Sequence, residues 1–438
     1  MKARTWGLIF IVLALLIVSA CQSGSGNNSS NGGTSAETGN SEKGEQVTIK
    51  FWYPGAGPAE DAVKEVVAAF ESKHPNVKID YSVVQWSEFF QKLSVGYAGG
   101  MAPDIHGLGF GQFFYTVMQD QYMNLNDFIE QDQWDGKEDF FQDVLKLGQY
   151  EGGQYAFLMP EVRPFVWRKD FFAEAGLDPE KPPQTYEELY EYAKKLTVYD
   201  SNGKTTRAGI DIQTQNGEQS YMSMLLLQGG QDMNIYEPNG NPMFDSEVSI
   251  DLVKRMTDLV KEGVVIPSHN HQLEGSLFKN SMAAMAFEQQ PYVEELVSNI
   301  GADKLGFSLP PVGPNGNRTA LTLGVFITMN KNTKHPKETW DFMKFFFESE
   351  NILKFTEKTG FAVPRQSLME EFIAARPQNQ YVFEAMKDAK GYTPSEHWNL
   401  NMKYLRLGLE ESYSGIRPVE EALKMNAEQV RTELGIKK

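Results

Sequence analysis

Residues 47–84, VTIKFWYPGAGPAEDAVKEVVAAFESKHPNVKIDYSVV, carry the pattern that decides the fold. Val47–Tyr53 is rich in β-branched and aromatic residues and Val77–Val84 alternates along its length, so both are predicted strands. Between them, apolar residues from Val63 to Phe70 recur every three or four positions, which marks one face of a helix. A strand, a helix and a strand in this order predict an α/β fold.

The same alternation continues downstream of this unit. Thr185 is a good N-cap for the helix predicted after it. Because strands and helices alternate, we expect α/β layers with a mostly parallel sheet. The further predicted segments are helices at 89–98, 186–196, 250–261 and 337–348, and strands at 104–105, 155–158, 283–287 and 321–329.

The composition of the chain excludes several classes of protein. The length of 438 residues suggests two or three domains. The hydrophobic fraction of 41% is enough for a sizeable core. The 58 acidic and 41 basic residues give a net charge of −17, which disfavours a nucleic acid as partner. Cys21 is the only cysteine, so an internal disulfide and a cysteine-based zinc site are excluded.

Residues 1–20 are predicted to be an export signal. Lys2 and Arg4 form a basic start, and the apolar run Trp6–Val18 is shorter than the roughly 20 residues of a membrane-spanning helix. The end of the run resembles the bacterial lipobox, which implies cleavage before Cys21 and acylation of its thiol. The alternative is a chance cysteine at the end of a transmembrane anchor.

Residues 21–45 are predicted to be the lipidated cysteine followed by a flexible linker. Gly, Ser, Asn and Thr dominate this stretch and leave nothing apolar to bury. Such a linker suits a domain held on the outer face of the cell membrane. Gln22 stands where an inner-membrane retention signal often has Asp, so a Gram-positive source is favoured.

Motifs of common enzymes are mostly absent from the sequence. No Gly-x-Ser-x-Gly occurs, so the commonest serine-hydrolase elbow is missing. The glycines from Gly107 to Gly111 lack dinucleotide-binding spacing and are interpreted as room for a tight turn or a close approach to a ligand. His269 and His271 have only Glu274 nearby, so two solvated loop histidines are favoured over a metal site. We expect no metal and no other cofactor.

Seven short segments follow one another in a recognisable order. They are FExxHPNVKI at 70–79, GGxxPDI at 99–105, YAFLMP at 155–160, WRKDFF at 167–172, PQTYEEL at 183–189, FKNSMAAM at 278–285 and TGFAVP at 359–364. Their order and spacing resemble the extracellular solute-binding protein family 1, in its maltose-binding-protein-like branch. The likeness covers nearly the whole chain from residue 47.

The resemblance implies a two-lobed α/β fold of the periplasmic-binding-protein type, class II, with a ligand cleft between the lobes. Each lobe is then discontinuous, because the chain crosses between them. The crossings are expected near 158–162, 320–325 and 361–365. The implied parts are a signal peptide at 1–20, a lipidated cysteine and linker at 21–45, lobe 1 at 46–160 and 323–363, and lobe 2 at 161–322 and 364–438.

The resemblance also implies a role without covalent chemistry. A monomeric receptor would close on a small-molecule ligand by hinge bending and pass it to the membrane permease of an ABC importer. The permease and its ATPase would be separate chains. Gln289–Tyr292 and Trp167-Arg168 depart from the family pattern on the cleft side, which leaves the identity of the ligand open.

Fourteen residues are candidates for ligand contact, because they follow predicted strands or match cleft positions of the family. Aromatic rings can stack on sugar faces, while amides and carboxylates can hydrogen-bond sugar hydroxyls. The candidates are Trp52, Tyr53, Trp86, Glu88, Phe110, Gln112, Glu161, Arg163, Gln219, Tyr221, Gln289, Gln290, Tyr292 and Trp398.

Each candidate also has a structural interpretation. Only one of Trp52 and Tyr53 can face the core, because neighbours on a strand point to opposite sides. Glu161 and Arg163 can form a salt bridge with each other. Tyr221 can pack one helical turn away from an apolar neighbour.

Three functions are compatible with these residues. The leading hypothesis is a lipid-anchored receptor for a neutral sugar or oligosaccharide. The second is the same type of receptor for a polyamine or a peptide, in which Glu88, Glu161 and Glu288 would supply carboxylates between aromatic walls. The third is a secreted carbohydrate-active enzyme, which needs two carboxylates about 5–10 Å apart.

Overall fold

The computed structural model describes residues 46–212, 217–267, 276–314, 316 and 318–437. The predicted signal peptide, Cys21, the linker and the histidines His269 and His271 lie outside these ranges. Within the described ranges, no helix combines the length and the apolar composition that a bilayer-spanning segment requires.

Strands and helices alternate along the described chain. The strands are β1 Val47–Pro54, β2 Val77–Val84, β3 Ile105–Gly109, β4 Gln149–Tyr150, β5 Gly153–Gln154, β6 Ala156–Val162, β7 Phe165–Arg168, β8 Val198–Tyr199, β9 Thr205–Arg207, β10 Met285–Phe287, β11 Leu305–Ser308 and β12 Thr322–Met329. The helices are α1 Pro58–Lys73, α2 Trp86–Ala98, α3 Phe110–Met118, α4 Asn126–Gln131, α5 Gly136–Asp139, α6 Gln142–Lys146, α7 Lys169–Glu174, α8 Tyr186–Leu196, α9 Gly217–Gly229, α10 Glu247–Lys261, α11 Val293–Ile300, α12 Pro336–Phe346, α13 Ser349–Thr359, α14 Met369–Ala375, α15 Tyr381–Lys387, α16 Trp398–Tyr413 and α17 Val419–Leu434.

The first sheet has the strand order β2-β1-β3-β12-β6 and forms the core of the first lobe. Strand β1 buries Ile49, Phe51 and Tyr53 on one face, as its alternation predicts. The Phe51 ring meets Phe342 of α12 edge to face, with ring centroids 5.3 Å apart. The apolar stripe of α1 that ends at Phe70 is buried against the same layer, which confirms the predicted strand–helix–strand unit.

The second sheet has the order β10-β7-β11 and belongs to the second lobe. Strand β6 of the first sheet leads into β7 of the second after only two residues, and β11 leads back toward β12. The chain therefore passes from one sheet to the other and returns. Helix α8 begins with the predicted cap, because the Thr185 hydroxyl oxygen accepts a hydrogen bond from the Glu188 N–H at 3.2 Å.

The prediction of mostly parallel sheets is wrong. Strand β1 pairs in parallel with β2 and β3, but β12 is antiparallel to β3 and to β6. In the second sheet, β7 is antiparallel to both of its neighbours. The reason is that β12 enters the first sheet on its return from the second and so runs in the opposite direction. Alternating patterns in a sequence predict the elements but not their direction.

His106 on β3 is a fully buried histidine without charge. Its Nδ1–H donates to the Gly107 carbonyl at 2.9 Å, and its Nε2 accepts from the Tyr97 hydroxyl at 3.0 Å. The Tyr122 ring lies 5.3 Å away, centroid to centroid. Burial lowers the pKa of His106 from 6.5 to about 4. The native state therefore resists protonation of this ring.

We predict that His106 makes the protein sensitive to mild acid. His106 binds a proton near pH 6.5 in the unfolded chain but only near pH 4 in the native chain. Its contribution to the free energy of unfolding is therefore fully present above pH 6.5 and is lost as the pH drops toward 4. The shift corresponds to a loss of about 3 kcal/mol of unfolding free energy from this group. Urea titrations at pH 7 and pH 4.5 should show a smaller loss in His106→Gln than in the wild type. Equal losses would contradict the prediction.

Candidate ligand-binding cleft

A cleft of about 890 Å³ opens between the two lobes. This volume lies near the upper end of the roughly 300–1,000 Å³ that small-molecule sites occupy. The carboxyl ends of β1, β2, β3 and β6 meet at one edge of the first sheet, together with the start of β12. Residues that follow these strands line one wall, and residues from the second lobe line the other. Ligands bind at this edge in many α/β proteins.

Ten of the fourteen candidate residues line the cleft, and four do not. The ten come from both lobes, although they are widely spread along the sequence. They are Tyr53, Trp86, Phe110, Gln112, Glu161, Arg163, Gln219, Gln289, Tyr292 and Trp398. Trp52, Glu88, Tyr221 and Gln290 are absent from the lining. Contact of the ten with a ligand stays a prediction.

Two of the four candidates outside the lining are close in sequence to residues that line the cleft. Trp52 points to the opposite side of β1 from Tyr53, and the Lys92 ammonium lies 4.5 Å from the centre of its ring. Because neighbours on a strand point to opposite sides, only one of this pair can line the cleft, and that residue is Tyr53. Glu88 lies in the first turn of α2 and is exposed, while Trp86, at the start of the same helix, lines the cleft.

The other two misplaced candidates are buried. The Tyr221 hydroxyl donates to Ser249 Oγ at 2.8 Å inside the second lobe, so the packing interpretation is the correct one. Gln290 begins a short 3₁₀ turn that directs its side chain inward. Its Oε1 accepts a hydrogen bond from the Val162 N–H at 3.2 Å. Gln290 thus holds the end of β6, and it is not part of the cleft lining.

A buried arginine joins polar groups on the floor of the cleft. Arg163 Nη1 lies 2.9 Å from Glu161 Oε1, although its N–H is not aimed at that oxygen, so the contact is an ion pair without a directed hydrogen bond. Nη2 donates to Gln219 Oε1 at 2.7 Å. The predicted salt bridge is present, and it also orients an amide of the second lobe. Losing one partner of such a buried pair would leave the other charge uncompensated.

A second ion pair on the lining was not predicted from the sequence. Arg406 on α16 donates through Nε and Nη2 to the two oxygens of Glu218, at 2.7 and 2.6 Å. Glu218 is buried, whereas the Arg406 side chain is about half exposed. Tyr392, in the segment before α16, also lines the cleft and was missed. No local pattern connects these positions, because the two helices come together only in the folded chain.

Glycines near the start of α3 leave the space in which two tryptophan side chains pack. A Cβ atom on Gly111 would lie 2.2 Å from the Trp398 indole, and one on Gly109 would lie 3.2 Å from Trp86. Gly391 makes similar room for the Phe110 ring. The glycine-rich segment was interpreted as room for a turn or a ligand. Its space is instead occupied by aromatic rings that line the cleft.

We predict that Gly111→Ala displaces the Trp398 indole. The added methyl group overlaps the ring, and overpacking of this kind costs about 1–3 kcal/mol. The melting temperature should fall and the near-ultraviolet circular dichroism of tryptophan should change. Gly99→Ala is the matched control, since Gly99 is exposed and its new methyl group meets only the flexible end of Met101 and one carbonyl oxygen, both at 3.3 Å. Equal effects of the two substitutions would contradict the prediction.

Comparison with known proteins gives consistent matches over most of the chain. A sequence model described as bacterial extracellular solute-binding protein matches residues 65–380. A putative binding protein of Brucella abortus is 23% identical over 327 residues, which cover 72% of this chain and 75% of that protein. The sn-glycerol-3-phosphate-binding periplasmic protein of Pectobacterium atrosepticum is 21% identical over 338 residues, and 72% of each chain is covered.

Solved structures give the same result for the fold. An ABC substrate-binding protein of Listeria monocytogenes in complex with cycloalternan has a TM-score of 0.76 at 19% identity, covering 90% of this chain and 100% of that one. The sugar-binding protein MalE of Xanthomonas citri has a TM-score of 0.76 at 20% identity, covering 89% and 98%. The protein CpMnBP1 with mannotriose bound has a TM-score of 0.75 at 24% identity, covering 88% and 100%. The predicted two-lobed α/β fold is thereby confirmed.

Proposed function

We propose, since this chain belongs to the bacterial extracellular solute-binding proteins, that it captures a neutral sugar or oligosaccharide in the cleft between its lobes. Closure of the lobes around the ligand would present it to the permease of an ABC importer. One observation carries the choice of ligand. Each charged residue on the cleft lining already has an oppositely charged partner within the protein.

The paired charges leave few sites for an ionic ligand. A polyamine needs free carboxylates and a phosphate needs free cations, so either would compete with an existing partner. That competition is costly at Glu161–Arg163 and Glu218–Arg406, whose carboxylates are buried, and weaker at the three more exposed pairs. A neutral ligand leaves the pairs intact and can use the amides, hydroxyls and rings between them. The pairs are Glu161–Arg163, Glu218–Arg406, Glu294–Arg376, Glu295–Lys279 and Lys358–Glu65.

Aromatic side chains favour an oligosaccharide over a monosaccharide. Trp86 from the first lobe and Tyr292 from the second are 50% and 40% exposed at the cleft. Trp398, Tyr392 and Phe110 lie deeper. Several dispersed rings suit several stacked sugar units. Two similar solved structures hold oligosaccharides, cycloalternan and mannotriose, which supports the same class of ligand here.

The crossing segments support closure by hinge bending. The Pro160 carbonyl on β6 accepts a hydrogen bond from the Ala362 N–H at 2.8 Å, so two crossings meet at this residue. Gly324 on β12 pairs with Pro160 and has a φ of 141°, which favours glycine. A Cβ there would lie 2.0 Å from the Met159 carbonyl oxygen. We assign Gly324 as a residue that absorbs backbone rotation when the lobes move.

The lining does not favour the enzyme hypothesis. A glycosidase needs one carboxyl group free to protonate the glycosidic oxygen and a second to act as nucleophile or base. Glu161 and Glu218 both line the cleft, but each is held by an arginine. The similar proteins are binding proteins, which agrees with capture and release of an unchanged ligand.

The N-terminal sequence supports export and anchoring of the protein. The signal at residues 1–20 and acylation of Cys21 would anchor the receptor to the outer face of the cell membrane, with residues 22–45 as its linker. We propose that it acts there as a monomer, in a Gram-positive bacterium. Lobe boundaries at 160–161, 322–323 and 363–364 belong to the same proposal.

We predict that neutral oligosaccharides raise the melting temperature of the purified protein. A ligand that binds only the native state adds about 2.7 kcal/mol when its concentration is 100 times Kd. The panel contains maltotriose, mannotriose, sn-glycerol-3-phosphate and spermidine, with chromatography of the sugars after incubation. A shift with a trisaccharide that is recovered intact supports the proposal. A shift with spermidine or the phosphate alone, or sustained hydrolysis, would overturn it.

We also predict that Trp398→Ala removes most of the shift caused by the trisaccharide. The indole supplies a large apolar face in the cleft, and its loss removes stacking area. Trp340→Phe is the control, because Trp340 is buried in the first lobe outside the cleft lining. That variant should melt at a lower temperature and keep the full shift. An undiminished shift in Trp398→Ala would show that this ring is not part of the site.

A further inference from the structure

We propose that the cleft recognises its ligand through three hydrogen-bond donors. They are the Tyr53 hydroxyl, the Tyr392 hydroxyl and the Trp398 indole N–H. The ligand therefore presents an edge of acceptor oxygens to the floor of the cleft. This inference rests on the proposed function, and it adds that the recognised edge of the ligand carries hydrogen-bond acceptors. It also makes Tyr392, which sequence reasoning missed, a specificity-determining residue.

All three polar atoms are buried, and none has a hydrogen-bond partner among the described residues. All three side chains line the cleft. A buried donor without a partner costs about 1–3 kcal/mol, so most buried polar groups in native proteins are paired. Arg163 Nη1 on the same lining also lacks a hydrogen-bond partner, but the Glu161 carboxylate lies 2.9 Å from it. The three neutral donors around one cleft are explained if a ligand supplies the acceptors.

The three donors come from different elements of the chain. Tyr53 ends β1, Tyr392 lies in the segment before α16, and Trp398 is the first residue of α16. The Tyr392 and Trp398 rings meet edge to face with centroids 6.2 Å apart, and Phe110 packs against Tyr392 at 6.0 Å. The indole packs against Gly111, in space that a Cβ atom would fill. The donors are therefore held on packed rings and do not need to be ordered when a ligand arrives.

The surroundings keep the two hydroxyls protonated. Burial raises the pKa of Tyr53 well above its usual range, and the charge of Glu161 adds to this effect. Burial likewise raises the pKa of Tyr392, with a contribution from Glu218, although Arg163 and Arg406 act in the opposite direction. Both hydroxyls thus remain able to donate at any physiological pH. The indole N–H of Trp398 can only donate.

This set of donors discriminates between ligand classes. Hydroxyl, ring and glycosidic oxygens of a sugar all accept hydrogen bonds. An ammonium group brings only donors, so a polyamine would leave these three groups unpaired. A sugar that lacks the oxygen facing one of the donors should lose affinity, because that donor stays buried without a partner.

The test uses isothermal titration with the trisaccharide, maltotriose or mannotriose, that shifts the wild-type melting curve. The variants are Tyr53→Phe, Tyr392→Phe and Trp398→Phe, which keep an aromatic ring and remove one donor each. Each should weaken binding about three- to tenfold. The melting temperature of the two tyrosine variants without sugar should stay equal or rise, since the lost hydroxyl had no partner.

Tyr122→Phe is the matched control, because it removes an equally buried hydroxyl from the core of the first lobe, outside the cleft lining. Its affinity for the trisaccharide should equal that of the wild type. Unchanged affinity in both cleft tyrosine variants would overturn this inference and leave the proposed function standing. A loss of affinity accompanied by a lower melting temperature without sugar would assign the hydroxyls a structural role and overturn it too. If neither trisaccharide binds the wild type, the proposed function and this inference fall together.

Discussion

The pairing of β6 with β12 is the constraint on which the rest of the structure depends. These two strands are hydrogen-bonded partners from Ala156–Thr328 to Val162–Thr322, and both continue into the second lobe. Their pairing brings the end of one crossing beside the start of the other. It places Glu161 and Gly324 on the floor of the cleft. A change in this register by one residue would turn the floor side chains to the other face of the sheet.

The polar groups of the cleft fall into two sets with different consequences. The charged side chains have oppositely charged partners within the protein, and Arg163 also orients Gln219. The neutral donors on Tyr53, Tyr392 and Trp398 lack hydrogen-bond partners, and so does Arg163 Nη1, whose charge is nevertheless paired with Glu161. This division directs the free hydrogen-bonding capacity toward neutral acceptors. It is the basis for proposing an uncharged ligand in a cleft that is rich in ionisable residues.

Local patterns in the sequence predicted the elements of the fold better than the details of the site. The strand and helix periods from Val47 to Val84 are short-range properties, and the structure confirms them. Strand direction and the Glu218–Arg406 pair depend on where distant segments meet, which no local pattern specifies. The inward turn of Gln290 follows from tertiary contact with β6. The two-lobed arrangement itself was predicted only through resemblance to a family.

The two outer strands of the first sheet differ in how they resist unwanted association. Strand β6 is completely buried and carries Pro160, which has no N–H to offer, while its carbonyl is already bonded to Ala362. Strand β2 turns Lys78 and Asp80 outward, and charged side chains discourage edge-to-edge pairing. Neither edge offers a template on which another chain could add a strand. These features of the two edges protect the first sheet against intermolecular β-aggregation.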